Sequence, residues 1–115
     1  MNKIELMGRL TADVELKKST KDKSKTYCRF SLAVPRKLDK EKVDFINCVA
    51  FGRIAETINK YCAKGMRIVA CGTLQIDDYE TKDGTKAKAT TVIVDDFYFT
   101  EFNKKAAESA DELPY

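Results

Sequence analysis

The chain has 115 residues, 43% of them hydrophobic and 34% charged, with a formal net charge of +3. That size and mixture fit one domain with a single core and exclude a disordered chain; no apolar run approaches a membrane span. The charge is graded: residues 1–42 hold 12 Lys and Arg against 6 Asp and Glu, residues 43–105 hold 9 of each, and residues 106–115 hold 3 acidic residues and no basic one.

Residues 3–18 read as one long strand, with Ile4 and Leu6, then Val14 and Leu16, on alternating positions and a bend at Gly8. Residues 17–25, KKSTKDKSK, form a polar loop dense in lysine. Residues 26–36 alternate cleanly. Cys28, Phe30, Leu32 and Val34 share one face; Tyr27, Arg29, Ser31 and Ala33 share the other. Pro35 marks the end of this strand, and residues 36–42 make a charged hairpin loop around Leu38.

The stretch 43–55, VDFINCVAFGRIA, is a strand running into a helix. Phe45, Asn47, Val49 and Phe51 fall on one side, Ile46, Cys48 and Ala50 on the other. Both faces carry apolar residues. Either the strand is buried on both sides, or Phe45 and Phe51 are stacking platforms on an open sheet face. After Gly52, Ile54, Ala55, Ile58, Tyr61 and Cys62 recur at helical spacing, with Lys64 in the last turn and Gly65 at the expected C-terminal cap. Residues 66–79 form a strand bent at Gly72, Asp83-Gly84 signals a hairpin, and residues 88–102 form the last strand. Residues 103–115 show no apolar periodicity and read as a flexible acidic tail.

The order strand, strand, strand, helix, strand, strand predicts a mainly all-β fold. It fits a five-stranded, partly open OB-fold barrel with one short helix between the third and fourth strands. An open α+β sheet needs fewer bends. The domain is expected over 1–102 and the tail over 103–115.

Four cysteines, Cys28, Cys48, Cys62 and Cys71, have no CxxC spacing, and there is no histidine. Buried thiols acting as small hydrophobes account for them better than a zinc site. The chain has no GxxxxGK[ST] phosphate loop and no thiol with an evident activating partner, so an enzyme is not expected. No metal or cofactor is expected either. The N-terminal MNKIELMG lacks a signal-peptide pattern, and a cytoplasmic location follows as the default. A basic first third points to a polyanionic partner; a solvated lysine surface gives the same numbers.

In order along the chain stand NKIELMGRL, FSLAV, DFINCVAFGRIAE, KG followed by GTLQ, and TTVIVDD. By these motifs the sequence resembles the bacterial and phage single-stranded DNA-binding protein family over about residues 1–102. The resemblance implies an OB-fold that assembles as a homo-oligomer, most often a tetramer with a dimer possible. It implies sequence-independent binding of single-stranded DNA in replication, recombination and repair, at the nucleoid.

The resemblance puts stacking aromatics at Phe45, Phe51 and Tyr79, and Leu38 where many members carry another. The expected phosphate contacts are Lys3, Arg9, Arg29, Arg36, Lys37, Arg53, Lys86 and Lys88, with Arg29 the strongest because it lies opposite the core face. Lys17, Lys18, Lys21 and Lys23 make a generally attractive loop or a solvated one. Asp77 and Asp78, where basic residues are common in the family, weaken the electrostatics of the last hairpin. The tip Asp111, Glu112, Leu113, Pro114 and Tyr115 resembles the family's acidic end, which docks replication and repair proteins. The alternative is an OB-fold accessory subunit of the primosome type, whose sheet face docks protein.

Overall fold

The computed structural model describes residues 1–19 and 25–100. Lys21, Lys23 and the whole expected tail, with its tip, lie outside the described residues. The elements run β1 (Ile4–Leu10), β2 (Leu16–Lys18), β3 (Thr26–Pro35), β4 (Val43–Phe51), α1 (Gly52–Tyr61), β5 (Arg67–Glu80) and β6 (Lys86–Phe99). Their sheet order is β1-β5-β6-β4-β3-β2, and a further β1–β3 pairing closes the ring. All pairs are antiparallel except β4–β6, which is parallel. This is the OB barrel, with β1 and β2 sharing the path of its first strand.

The expected single strand over 3–18 is therefore divided. β1 pairs with β5 from Ile4↔Gly72 to Arg9↔Arg67, then switches to β3 at Arg9↔Ala33 and Leu10↔Leu32. The interruption comes at residues 11–15, not at Gly8. There the Thr11 N–H donates to the Ser31 carbonyl at 3.2 Å, and Asp13 Oδ1 accepts from the Lys64 N–H at 2.8 Å. These bonds satisfy backbone that has left the ladder. Gly8 stays in strand but lies close to β3: a Cβ there would sit 2.7 Å from the Ala33 carbonyl oxygen.

β3 keeps the alternation its sequence shows. Cys28, Phe30 and Leu32 are buried, while Arg29 on the opposite face is exposed. With Cys48 and Ala50 of β4, Ile68 and Ala70 of β5, and Val92 and Val94 of β6 they form one core. The helix adds Ala55 and Ile58, and packs against β3 and β4. Each large aliphatic side chain buried here stabilises the fold by about 1.5–3 kcal/mol relative to exposure. Tyr61 and Phe97 both meet Phe99 edge-on, with centroids 6.1 and 5.2 Å away.

The helix is shorter at its C-terminus than its periodicity implies. Cys62 has turned to φ −106°, ψ 140°, and its N–H closes the last turn on the Ile58 carbonyl at 2.9 Å. Gly65 does not cap it. Its N–H donates to the Leu10 carbonyl at 2.8 Å and ties the following turn to β1. The β5–β6 turn is also longer than a two-residue hairpin loop. Residues 81–85 are closed by the Thr81 N–H to the Thr85 carbonyl at 2.9 Å.

Cys28, Cys48 and Cys62 are core residues, and Cys71 is partly exposed. Burial pushes the Cys28 thiol up to about 11 and the Cys48 thiol up to about 12, so both stay protonated at neutral pH. Among the described residues no helix is long and apolar enough to cross a membrane.

Candidate nucleic-acid interface

The barrel's outward face across β3, β4, β6 and β5 can be read from register. Tyr27 lies beside Phe51; Arg29 beside Val49, which lies beside Ile93; Ser31 beside Asn47, which lies beside Thr91 and then Gln75; Ala33 beside Phe45. The result is two aromatic positions at the ends of a band that is apolar at Val49 and Ile93 and polar from Ser31 to Gln75.

Phe45 is 67% exposed and Phe51 54% exposed, whereas Ile46 is half-buried and Cys48 and Ala50 are fully buried. The choice left open by the sequence is thereby decided for these rings: β4 is buried on one face and open on the other. Val49 is the exception, 5% exposed on the outer side. It forms the floor of a depression beside Phe51, lined also by Tyr27, Arg29 and Ile93. Six residue steps along the extended strand separate Phe45 from Phe51, about 20 Å, so the two rings cannot meet the same base.

Tyr27 is an aromatic of this face that sequence reasoning did not single out. Its ring lies 6.3 Å from that of Phe51, tilted by 41°. The signal was present, since Tyr27 shares the non-core side of its strand with Arg29. Its importance depends on Phe51 being its cross-strand partner, which register alone reveals.

The expected cations divide by environment. Arg29 is exposed on the open face and makes no ion pair among the described residues. Arg53 stands on the first turn of α1 and, with Lys25, lines a second hollow beside Phe51. Arg9 donates from Nη1 to the Gly65 carbonyl at 2.8 Å, next to Ala33 in the ladder and hence one strand further from Phe45.

Arg36 is engaged elsewhere. Its Nε and Nη2 each donate to the Asp44 carboxylate at 3.1 Å, a bidentate pair. The hydrogen bond and charge of Asp44 hold the Arg36 pKa above its ordinary value. Lys3 is 3.6 Å from Glu5. Lys37 is exposed in the loop with Leu38, which is fully exposed.

The β5–β6 arm carries Tyr79, 50% exposed, on the same strand face as Gln75 and Asp77. Lys86 is registered opposite Glu80 and Lys88 opposite Asp78, on the other face of that arm. Their charge is thus offset locally and turned away from Tyr79. Among the described residues no group of three or more His, Cys, Asp or Glu is placed to hold a metal ion.

An open sheet with separated aromatic rings and an exposed arginine, Arg29, can stack planar bases and neutralise phosphates, which are the two requirements for holding a single strand. Residues 1–100 match the sequence model of the single-strand binding protein family. A single-stranded DNA-binding protein of Clostridium perfringens is 42% identical over 101 residues, covering 88% of this chain and 67% of its own. Single-stranded DNA-binding protein 1 of Streptococcus pyogenes is 34% identical over 122 residues, covering 99% of this chain and 92% of its own. Among solved structures, an SSB complex with ssDNA from Plasmodium falciparum superposes with a TM-score of 0.73 at 26% identity, over 88% of this chain and 96% of that one.

Proposed function

The chain belongs to the single-strand binding protein family, and from that premise we infer that its open face binds single-stranded DNA by stacking and charge. It acts by binding and not by catalysis. The observation that carries this reading is the pair Phe45 and Phe51, held exposed on a strand whose opposite face is core. Two phenylalanine rings more than half exposed forgo a large part of the ~1.5–3 kcal/mol that full burial of each would give. A stacked base covers such a ring whatever its identity, and contributes about 1–3 kcal/mol.

Phosphate neutralisation falls first to Arg29, with Lys25 and Arg53 flanking Phe51. Arg9, Lys3, Lys37, Lys86 and Lys88 contribute from further away, and Arg36 least because Asp44 holds it. Tyr79 extends the stacking path along the arm. Affinity for oligo-dT, followed by tyrosine fluorescence, is expected to fall with salt at a log–log slope of about −0.7 per phosphate neutralised. Arg29→Ala is expected to flatten that slope by about 0.7, and Arg36→Ala by less. A salt-independent affinity would remove the charged face from the account.

We further infer a role in protecting and organising single strands during replication, recombination and repair, in the cytoplasm at the nucleoid. The unit of action is a homo-oligomer, with a tetramer favoured. The family resemblance supports this assembly. Asp111, Glu112, Leu113, Pro114 and Tyr115 supply carboxylates followed by an apolar end, a ligand for a basic-rimmed apolar pocket on replication and repair proteins. Deleting 111–115 is expected to abolish capture of such partners while oligo-dT affinity stays the same or rises. Undiminished capture would leave the tip without that role.

A further inference from the structure

The depression floored by Val49 opens into a cleft of about 340 Å³. Its walls are unlike one another. Tyr27 and Phe51 stand on one side with Arg29 beside them; Gln75 and Asp77 of the arm stand on the other. Gln75 donates from Nε2 to Asp77 Oδ2 at 2.8 Å. One amide N–H is thereby spent. Its second N–H and its carbonyl oxygen remain, together with Oδ1 of Asp77.

A carboxylate is out of place on a surface that holds a polyanion. Any part of a DNA strand lying against Asp77 must be something other than a phosphate. Bases are the alternative, and the aromatic wall beside Arg29 suits a flat ring. From this juxtaposition we propose that the cleft takes a base with its polar edge toward the arm, and that Asp77 accepts a hydrogen bond from an exocyclic amino group. This rests on the single-stranded DNA reading above and adds a base bias to it.

Cytosine offers an amino donor next to a ring-nitrogen acceptor. Asp77 meets the first, and the free N–H of Gln75 or the Arg29 guanidinium meets the second. Adenine offers the same donor–acceptor pair. Thymine puts a carbonyl oxygen where the amino group would be, so acceptor faces acceptor. The cleft therefore favours amino-bearing bases over thymine, while stacking on Phe45, outside the cleft, remains indifferent to the base.

The test compares oligo-dC with oligo-dT of equal length, at one fixed salt concentration, on the full chain and on Asp77→Ala. Asp77→Ala is expected to shift the dC-to-dT affinity ratio toward dT by about fivefold, at the low end of discrimination by a base-edge contact. Asp77 is exposed, so the fold should tolerate the change. If both oligonucleotides gain affinity equally, Asp77 only repels phosphate and the proposal is overturned. An unchanged ratio overturns it as well. Failure of the unaltered protein to bind either oligonucleotide is a different result, which removes the single-strand reading itself.

Discussion

Replacing Phe45 and Phe51 together by alanine is expected to weaken oligo-dT binding by about 100-fold, with each single change costing about tenfold. The factors should multiply. The rings stand about 20 Å apart along β4, share no partner, and stack on different bases, which is the condition for additive free energies. Phe51 has Tyr27 at 6.3 Å, so its loss also removes the neighbour against which Tyr27 is held. Phe51→Ala should therefore be the costlier single change. Both rings are exposed and neither belongs to the core. The denaturation midpoint of the double variant should stay near that of the parent. Unfolding of the variant, or unchanged affinity in a folded one, would show that the rings serve packing or another partner.

The same strand shows how far the sequence could be read. Alternation is local, so the two faces of residues 26–35 and the split of β4 into Ile46, Cys48 and Ala50 against Phe45 and Phe51 were visible in the chain. Alternation alone did not say which face is open, because that depends on what the barrel encloses; the family resemblance was what put Phe45 and Phe51 on it. Relations across strands were hidden for the same reason. The Arg36–Asp44 ion pair spans the hairpin loop and depends on β3–β4 register. The arrangement that sets Lys86 and Lys88 against Glu80 and Asp78 depends on how β5 and β6 align. The break at residues 11–15 is held by hydrogen bonds with Ser31 and Lys64, far away in sequence. Gly65 looks like a helix cap by spacing, yet its N–H is taken by Leu10 of β1. In each case the local signal was silent about the partner, and at Gly8 and Gly65 that silence also misplaced the break and the cap.

Gly72 is the clearest case in which a residue type visible in sequence acquires its reason only from a neighbour. A glycine inside an apolar run suggested a bend, and the β5–β6 register does shift there, from Cys71↔Asp96 to Gly72↔Val94, leaving Asp95 unpaired. A Cβ on residue 72 would lie 1.9 Å from the Ile93 carbonyl oxygen and 2.8 Å from its carbonyl carbon. Both are backbone atoms of the adjacent strand, so no side-chain rotation relieves the clash. β1 closes on the same residue through Ile4↔Gly72. Gly72→Ala must therefore push β6 away from β5 at a residue that β1 also pairs with. We expect a loss of about 3 kcal/mol of stability in urea unfolding, at the upper end for overpacking a well-filled core. Because the shift lies at the root of the arm that carries Gln75, Asp77 and Tyr79, the variant should also blunt the dC-to-dT bias more than it weakens overall oligo-dT affinity under conditions where it remains folded. Stability within about 0.5 kcal/mol of the parent, the range of an ordinary surface substitution, would mean that the bulge yields freely and that the close approach does not fix the arm.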